Sequence, residues 1–200
     1  TSAWVCPSNT ASSPRAFRWR TSSRTPAAEE QVRERLGIPP EAPVLGTVGR
    51  LTAVKDQRTL IAAAKILVDR HPDLVVLLIG DGGLKGKLEA QTRDLGLEGR
   101  IRFLGWESDV PELLNALDVF VLCSLNEGMG RALVEAMASG LPVVATNVGG
   151  LPDMVEEGVS GCLVPAGAPD ALAAAVSRML DDRGRLRSMG ERSREKSAAY

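Results

Sequence analysis

Two glutamates, two cations and a set of glycines are the residues of this chain best suited to chemistry. The segment NEGMGRALVEAMASGLPVVATNVGG, residues 126–150, puts Glu127 in a glycine-rich turn and Glu135 among Leu133, Val134, Ala136 and Met137. An ionised carboxylate in such apolar company is costly unless something hydrogen-bonds to it. Gly128, Met129 and Gly130 bare their amides where a helix begins, a natural place for an anion. On an unbroken helix the eight steps from Glu127 to Glu135 end roughly 80° from the starting direction. The two therefore need not share a face, and Glu127, ahead of the helix, is free to point along a pocket. Earlier, Arg50 and Lys55 share the loop GRLTAVKDQ that starts at Gly49. Arginine supplies paired hydrogen bonds and lysine a point charge, a suitable grip for a diphosphate. The alternative is two exposed cations near a helix start, where positive charge is unfavourable. Phosphate-binding and hydroxyl-binding groups together suggest a sugar nucleotide.

Other signals carry less. Gly80-Asp81-Gly82-Gly83 is explained either as a ligand loop or as a tight turn with Asp81 as a local cap. Gly149-Gly150 offers amides to a ligand or makes a plain turn. No G-x-G-x-x-G follows the first strand and no G-x-x-x-x-G-K-[ST] loop occurs, which argues against a dinucleotide fingerprint and against an ATPase or kinase. The lone His71 falls between a helix and a strand, at the opposite end of the sheet from these loops, so no histidine base is expected. Cys6, Cys123 and Cys162 are odd in number and widely spaced, without the pattern of a zinc site or disulfide framework. A net charge of −1 gives no general case for nucleic acid or an anionic membrane. No apolar run reaches membrane-spanning length and no signal-peptide core is visible. A cytoplasmic, reducing setting is the expectation. The chain starts without methionine and stops at Tyr200, as a fragment of a longer protein would.

These residues need a scaffold, and the sequence supplies one. Residues 1–28 carry four arginines and no acid, lack a steady period and read as loop or linker, with Trp4 and Trp19 as local anchors. A short helix over 29–36 ends at Gly37, so residues 1–42 form a linker with one helix. From 43 to 182 strands and helices alternate. Strands are expected at 44–49, 74–79, 101–104, 119–123, 143–145 and 162–164. Helices are expected at 56–69, 84–95, 110–116, 131–139, 151–156 and 169–180. Several strands are continuously apolar, as buried parallel strands are. The fold class is α/β: a Rossmann-like, doubly wound parallel sheet of about six strands with helices on both faces. Residues 183–200 form a last helix or tail. Every glycine-rich or polar loop follows the carboxyl end of a strand, where open α/β sheets bind ligands.

In that order, GRL…K at 49–55, GDG at 80–82, RIRFLGW, the E-x7-E pair in NEGMGRALVE, AMASGLPVVATNVGG and GVSGCLVP resemble the family-4 retaining glycosyltransferases. Those are GT-B enzymes, two Rossmann-like domains with the active site in the cleft between. The match runs over roughly residues 43–180 and is to the C-terminal, donor-binding domain.

The resemblance implies that Arg50 and Lys55 bind the donor diphosphate and stabilise the leaving group, and that Glu127 contacts the transferred sugar. It gives Glu135 the ribose hydroxyls, and the amides of Gly128, Met129 and Gly130 the sugar hydroxyls or phosphate. Gly49 and Gly82 line the site, and the Leu104–Glu107 loop, with Leu104 and Trp106, borders the base. No metal is required, because Arg and Lys neutralise the charge. The donor would be a UDP- or GDP-sugar, its base not written in any side chain. The acceptor-binding N-terminal domain would come from the same or another chain. The usual Asn-Gly-Val-Asp linker is replaced here by PSNTASSPRAF. A non-catalytic nucleotide-sugar-binding module or subunit is the second reading. An epimerase fits the E-x7-E spacing less well, and no lysine stands out as the pyridoxal-phosphate residue a phosphorylase needs.

Overall fold

Six parallel strands in the order β3-β2-β1-β4-β5-β6 form the centre of the molecule. The computed structural model describes residues 24–200. The strands are β1 Val44–Val48, β2 Val75–Ile79, β3 Ile101–Gly105, β4 Val119–Leu122, β5 Val143–Thr146 and β6 Gly161–Val164. The helices are α1 Pro26–Arg35, α2 Gln57–Leu67, α3 Lys85–Asp94, α4 Val110–Leu114, α5 Arg131–Ala138, α6 Leu151–Met154, α7 Pro169–Leu180 and α8 Arg183–Ser197. This is the expected Rossmann-like, doubly wound parallel sheet, with the reversal of strand order between β1 and β4.

The continuous apolar runs are explained by burial on both faces. In β2, Val76 and Leu78 enter one core with Leu60, Ile61 and Val176 from α2 and α7. Val75, Leu77 and Ile79 enter the other, with Leu113, Leu133 and Met137 from α4 and α5. β4 does the same, with Val119 and Val121 on one side and Phe120 and Leu122 on the other. Each such side chain, fully buried, contributes about 1.5–3 kcal/mol. A strand with two buried faces has no polar positions to alternate with.

The first helix starts earlier than its apolar pattern indicates. Thr25 caps it by accepting the Ala28 N–H at 3.2 Å, and Pro26 occupies its first turn. Proline fits there because that N–H has no helical partner. Residues 1–23, including the expected Trp4 and Trp19 anchors, lie outside the described residues. Arg33 on α1 is buried and donates to the carbonyls of Pro40 and Ala42, at 2.8 and 3.1 Å, and to Asp118 Oδ2 at 3.0 Å. Asp118 Oδ2 also accepts the Val44 N–H at 2.8 Å. One guanidinium thus ties α1 to the starts of β1 and β4, beneath the point where the sheet order reverses. His71 is at this same amino-terminal end, ahead of β2, 3.3 Å from Ser177 Oγ on α7. Burial lowers its pKa. Among the described residues no helix is long and apolar enough to cross a membrane.

Candidate functional site

The reversal of strand order lies between the chain leaving β1 and the chain leaving β4, and the predicted Lys55 and Glu127 come from those two segments. After β1 the chain runs through Gly49 and Arg50 into a short 3-10 turn, Ala53–Lys55. After β4 it runs through Ser124 to the Gly130 start of α5. The two loops are joined where the Leu125 N–H donates to the Val54 carbonyl at 2.8 Å. Lys55 Nζ meets Glu127 Oε2 in an ion pair that is largely shielded from water. Ser124 Oγ donates to the same carboxylate oxygen at 3.0 Å. Arg50 is exposed, and no side-chain partner holds its guanidinium among the described residues. Its backbone is held instead, by Gln57 Nε2 donating to the Arg50 carbonyl at 3.0 Å. The site therefore pairs one neutralised lysine with one free arginine.

Gly80 and Gly82 explain the GDG motif. A Cβ on Gly80 would lie 2.1 Å from the Gly49 carbonyl oxygen, and one on Gly82 would lie 2.5 Å from the Leu51 oxygen. The two loops zip together through Leu51 N–H to Asp81 O at 3.0 Å and Leu84 N–H to Leu51 O at 3.1 Å. The glycines act by letting one backbone approach another, which places the Arg50 loop. Gly80 also donates its N–H to the Gly105 carbonyl at 2.7 Å, linking in the end of β3. There Leu104 packs partly on the core, whereas Trp106 is 77% exposed.

The Gly149-Gly150 turn is tied to the Glu127 loop. The Gly150 N–H is taken by the Glu127 carbonyl at 3.1 Å. A Cβ on Gly149 would stand 1.8 Å from that same oxygen. This turn is a backing for the Glu127 loop. On the loop itself, no protein group accepts the N–H of Gly128, Met129 or Gly130 among the described residues, and Met129 is 58% exposed. Free amides at a helix start suit an anion or a hydroxyl oxygen.

Glu135, in the second turn of α5, differs from Glu127. Leu133, Val134, Ala136 and Met137 are buried while Glu135 is half-buried. No protein donor reaches its carboxylate among the described residues. Burial pushes its pKa up, and Arg131 opposes this. Among the described residues Glu127 has its donors and Glu135 has none. Ser124, Thr146 and Gln57 fall in loops that the sequence singles out without giving them a role there, and each is a buried polar residue.

The chain belongs to the glycosyl transferases group 1 family, whose model matches residues 28–196. It is 37% identical over 185 residues to a D-inositol 3-phosphate glycosyltransferase of Corynebacterium urealyticum, covering 88% of this chain and 44% of that protein. It is 38% identical over 160 residues to a 2-deoxystreptamine glucosyltransferase of Streptomyces kanamyceticus, covering 78% of this chain and 41% of the relative. It thus spans less than half the length of these curated relatives. Among solved structures, Anabaena HepE in complex with UDP-glucose superposes with a TM-score of 0.82 at 31% identity, covering 88% of this chain and 49% of that one. The C-terminal domain of a group 1 glycosyltransferase, LpcC of Francisella tularensis, gives 0.76 at 27% identity, covering 84% of this chain and 90% of that one.

Proposed function

We propose that this chain is the donor-binding half of a retaining, metal-independent glycosyltransferase, with a second Rossmann-like domain closing the active site and binding the acceptor. The observation that carries the reading is the meeting of Lys55 with Glu127 at the reversal of strand order, beside the free guanidinium of Arg50. Arg50 and Lys55 take the diphosphate and offset charge on the leaving group. Glu127 faces the transferred sugar, and the free amides of the 128–130 turn hold its hydroxyls or a phosphate oxygen. Glu135 accepts from the ribose hydroxyls. Gly49 leaves the nucleotide room, Gly82 lines the site by holding the Arg50 loop in place, and Leu104 and Trp106 border the base. HepE was solved with UDP-glucose, which supports a uridine donor here.

Thermal unfolding with UDP, GDP and ADP tests the reading. One of the three is expected to raise the melting temperature at millimolar concentration. Arg50→Ala is expected to weaken that nucleotide about tenfold, the loss of one charge-assisted pair of hydrogen bonds. No shift with any of the three would sink the donor-site assignment.

Glu135 adds a pH dependence. Its carboxyl pKa is raised in the free protein by burial. Hydroxyl donors from ribose stabilise the ionised form and pull that pKa back down. The complex therefore binds fewer protons than the free protein between the two values. Affinity should rise with pH through that window, above the ordinary glutamate range, and level off beyond it. Glu135→Gln is expected to remove this component while leaving the phosphate's own titration. Identical pH profiles for the two proteins would refute the ribose contact.

A further inference from the structure

Glu127 is held by more than Lys55. Ser124, two residues beyond β4, is 0% exposed, and its Oγ donates to Glu127 Oε2 at 3.0 Å. The Ser124 carbonyl in turn accepts Thr146 Oγ1 at 2.6 Å. Thr146 ends β5 and is also buried, and its hydroxyl lies 3.4 Å from the Leu122 carbonyl. Leu122, Cys123 and Ala145 beside them are buried and apolar, where an unbonded hydroxyl would be costly. The two hydroxyls thus form a relay from the end of β5, through the Ser124 peptide, to the carboxylate.

The relay converges on one oxygen. Lys55 and Ser124 both reach Oε2, and among the described residues no donor reaches Oε1. The Glu127 backbone is fixed as well, its carbonyl accepting the Gly150 N–H at 3.1 Å. A carboxylate with its main chain and one oxygen anchored has little freedom left, and its second oxygen is presented in a set direction.

We infer that Ser124 and Thr146 are positioning residues for the sugar-binding step. Thr146 fixes the Ser124 peptide, and Ser124 fixes the Glu127 carboxylate so that Oε1 meets a hydroxyl of the transferred sugar. This rests on the donor-site reading above. If Ser124 only satisfied a buried turn, its loss would lower stability and leave sugar recognition alone.

Titration calorimetry of this chain with UDP, GDP and ADP, each compared with its glucose derivative, separates these cases. The glucose derivative of the preferred nucleotide is expected to bind more tightly than the nucleotide itself. Ser124→Ala should change affinity for the nucleotide less than about twofold and reduce the glucose increment about tenfold. In a Glu127→Ala background the same change should cost nothing further, because the two residues act as one unit. Thr146→Val, close in shape, should give a smaller loss in the same direction, and Thr146→Ser should restore the increment. If Ser124→Ala fails to fold, the Thr146 pair carries the test. An equal loss with and without Glu127 would overturn the inference, as would a glucose increment that Glu127→Ala leaves intact. Absence of any nucleotide binding by the unmodified chain would remove the donor site itself, and the relay's role with it.

Discussion

Gly149→Ala is expected to lower the melting temperature by about 10 °C, reflecting roughly 3 kcal/mol of destabilisation in a domain of this size. Two costs combine. Gly149 has φ of +54°, a left-handed conformation that costs an L-residue roughly 1–2 kcal/mol. Its new Cβ would also stand 1.8 Å from the Glu127 carbonyl oxygen. That neighbour is backbone, so it relieves the clash only by moving the whole turn. Gly158 is an internal control, with φ of +74° and nothing within 4 Å of the added atom. Gly158→Ala should therefore show the conformational cost alone, about 1 kcal/mol. The extra affinity that glucose adds to the preferred nucleotide should fall in Gly149→Ala and stay level in Gly158→Ala, because only the first displaces Glu127. Equal melting temperatures for the two variants would mean that the Gly149 turn does not back the site.

The glycine's role also marks where sequence reasoning stops. A Gly-Gly pair after a strand announces a turn but not what lies against it, because Glu127 is brought there by the pairing of β4 with β5. The strands were legible because Val, Ile and Leu runs this short, followed by glycine-rich or polar loops, suit strands of a sheet buried on both faces, and most observed ends fall within a residue of those expected. Lys55 and Glu127 were legible one by one, from residue type and from following a strand. Their ion pair was not, since it joins residues 72 apart in sequence and depends on β1 lying beside β4. Arg33 with Asp118 is the same case, 85 residues apart. The α1 start was missed because residues 26–28 are apolar or small with no period, and a single Thr-Pro cap decides the boundary. For Glu135 the apolar company was visible, but not that no donor among the described residues reaches its carboxylate.

Lys55→Ala should weaken the preferred nucleoside diphosphate by about 30- to 100-fold, more than Arg50→Ala, as calorimetry would measure. Losing the ammonium removes a point charge from the diphosphate. It also leaves the Glu127 carboxylate, only 13% exposed, without its cation, so an unbalanced negative charge faces the incoming phosphates. Arg50 has no such partner among the described residues, and its removal exposes no opposing charge there. The double variant Lys55→Ala, Glu127→Ala is therefore expected to bind the nucleotide better than Lys55→Ala alone, because the second change removes the repulsion left by the first. Glu127→Ala by itself frees Lys55 and should hold the diphosphate at least as tightly as the unmodified chain, while the glucose increment disappears. Phosphate affinity and sugar affinity then move in opposite directions on the loss of one carboxylate. A double variant weaker than Lys55→Ala would show that Glu127 supports the diphosphate directly, and the division of labour drawn from the ion pair would be wrong.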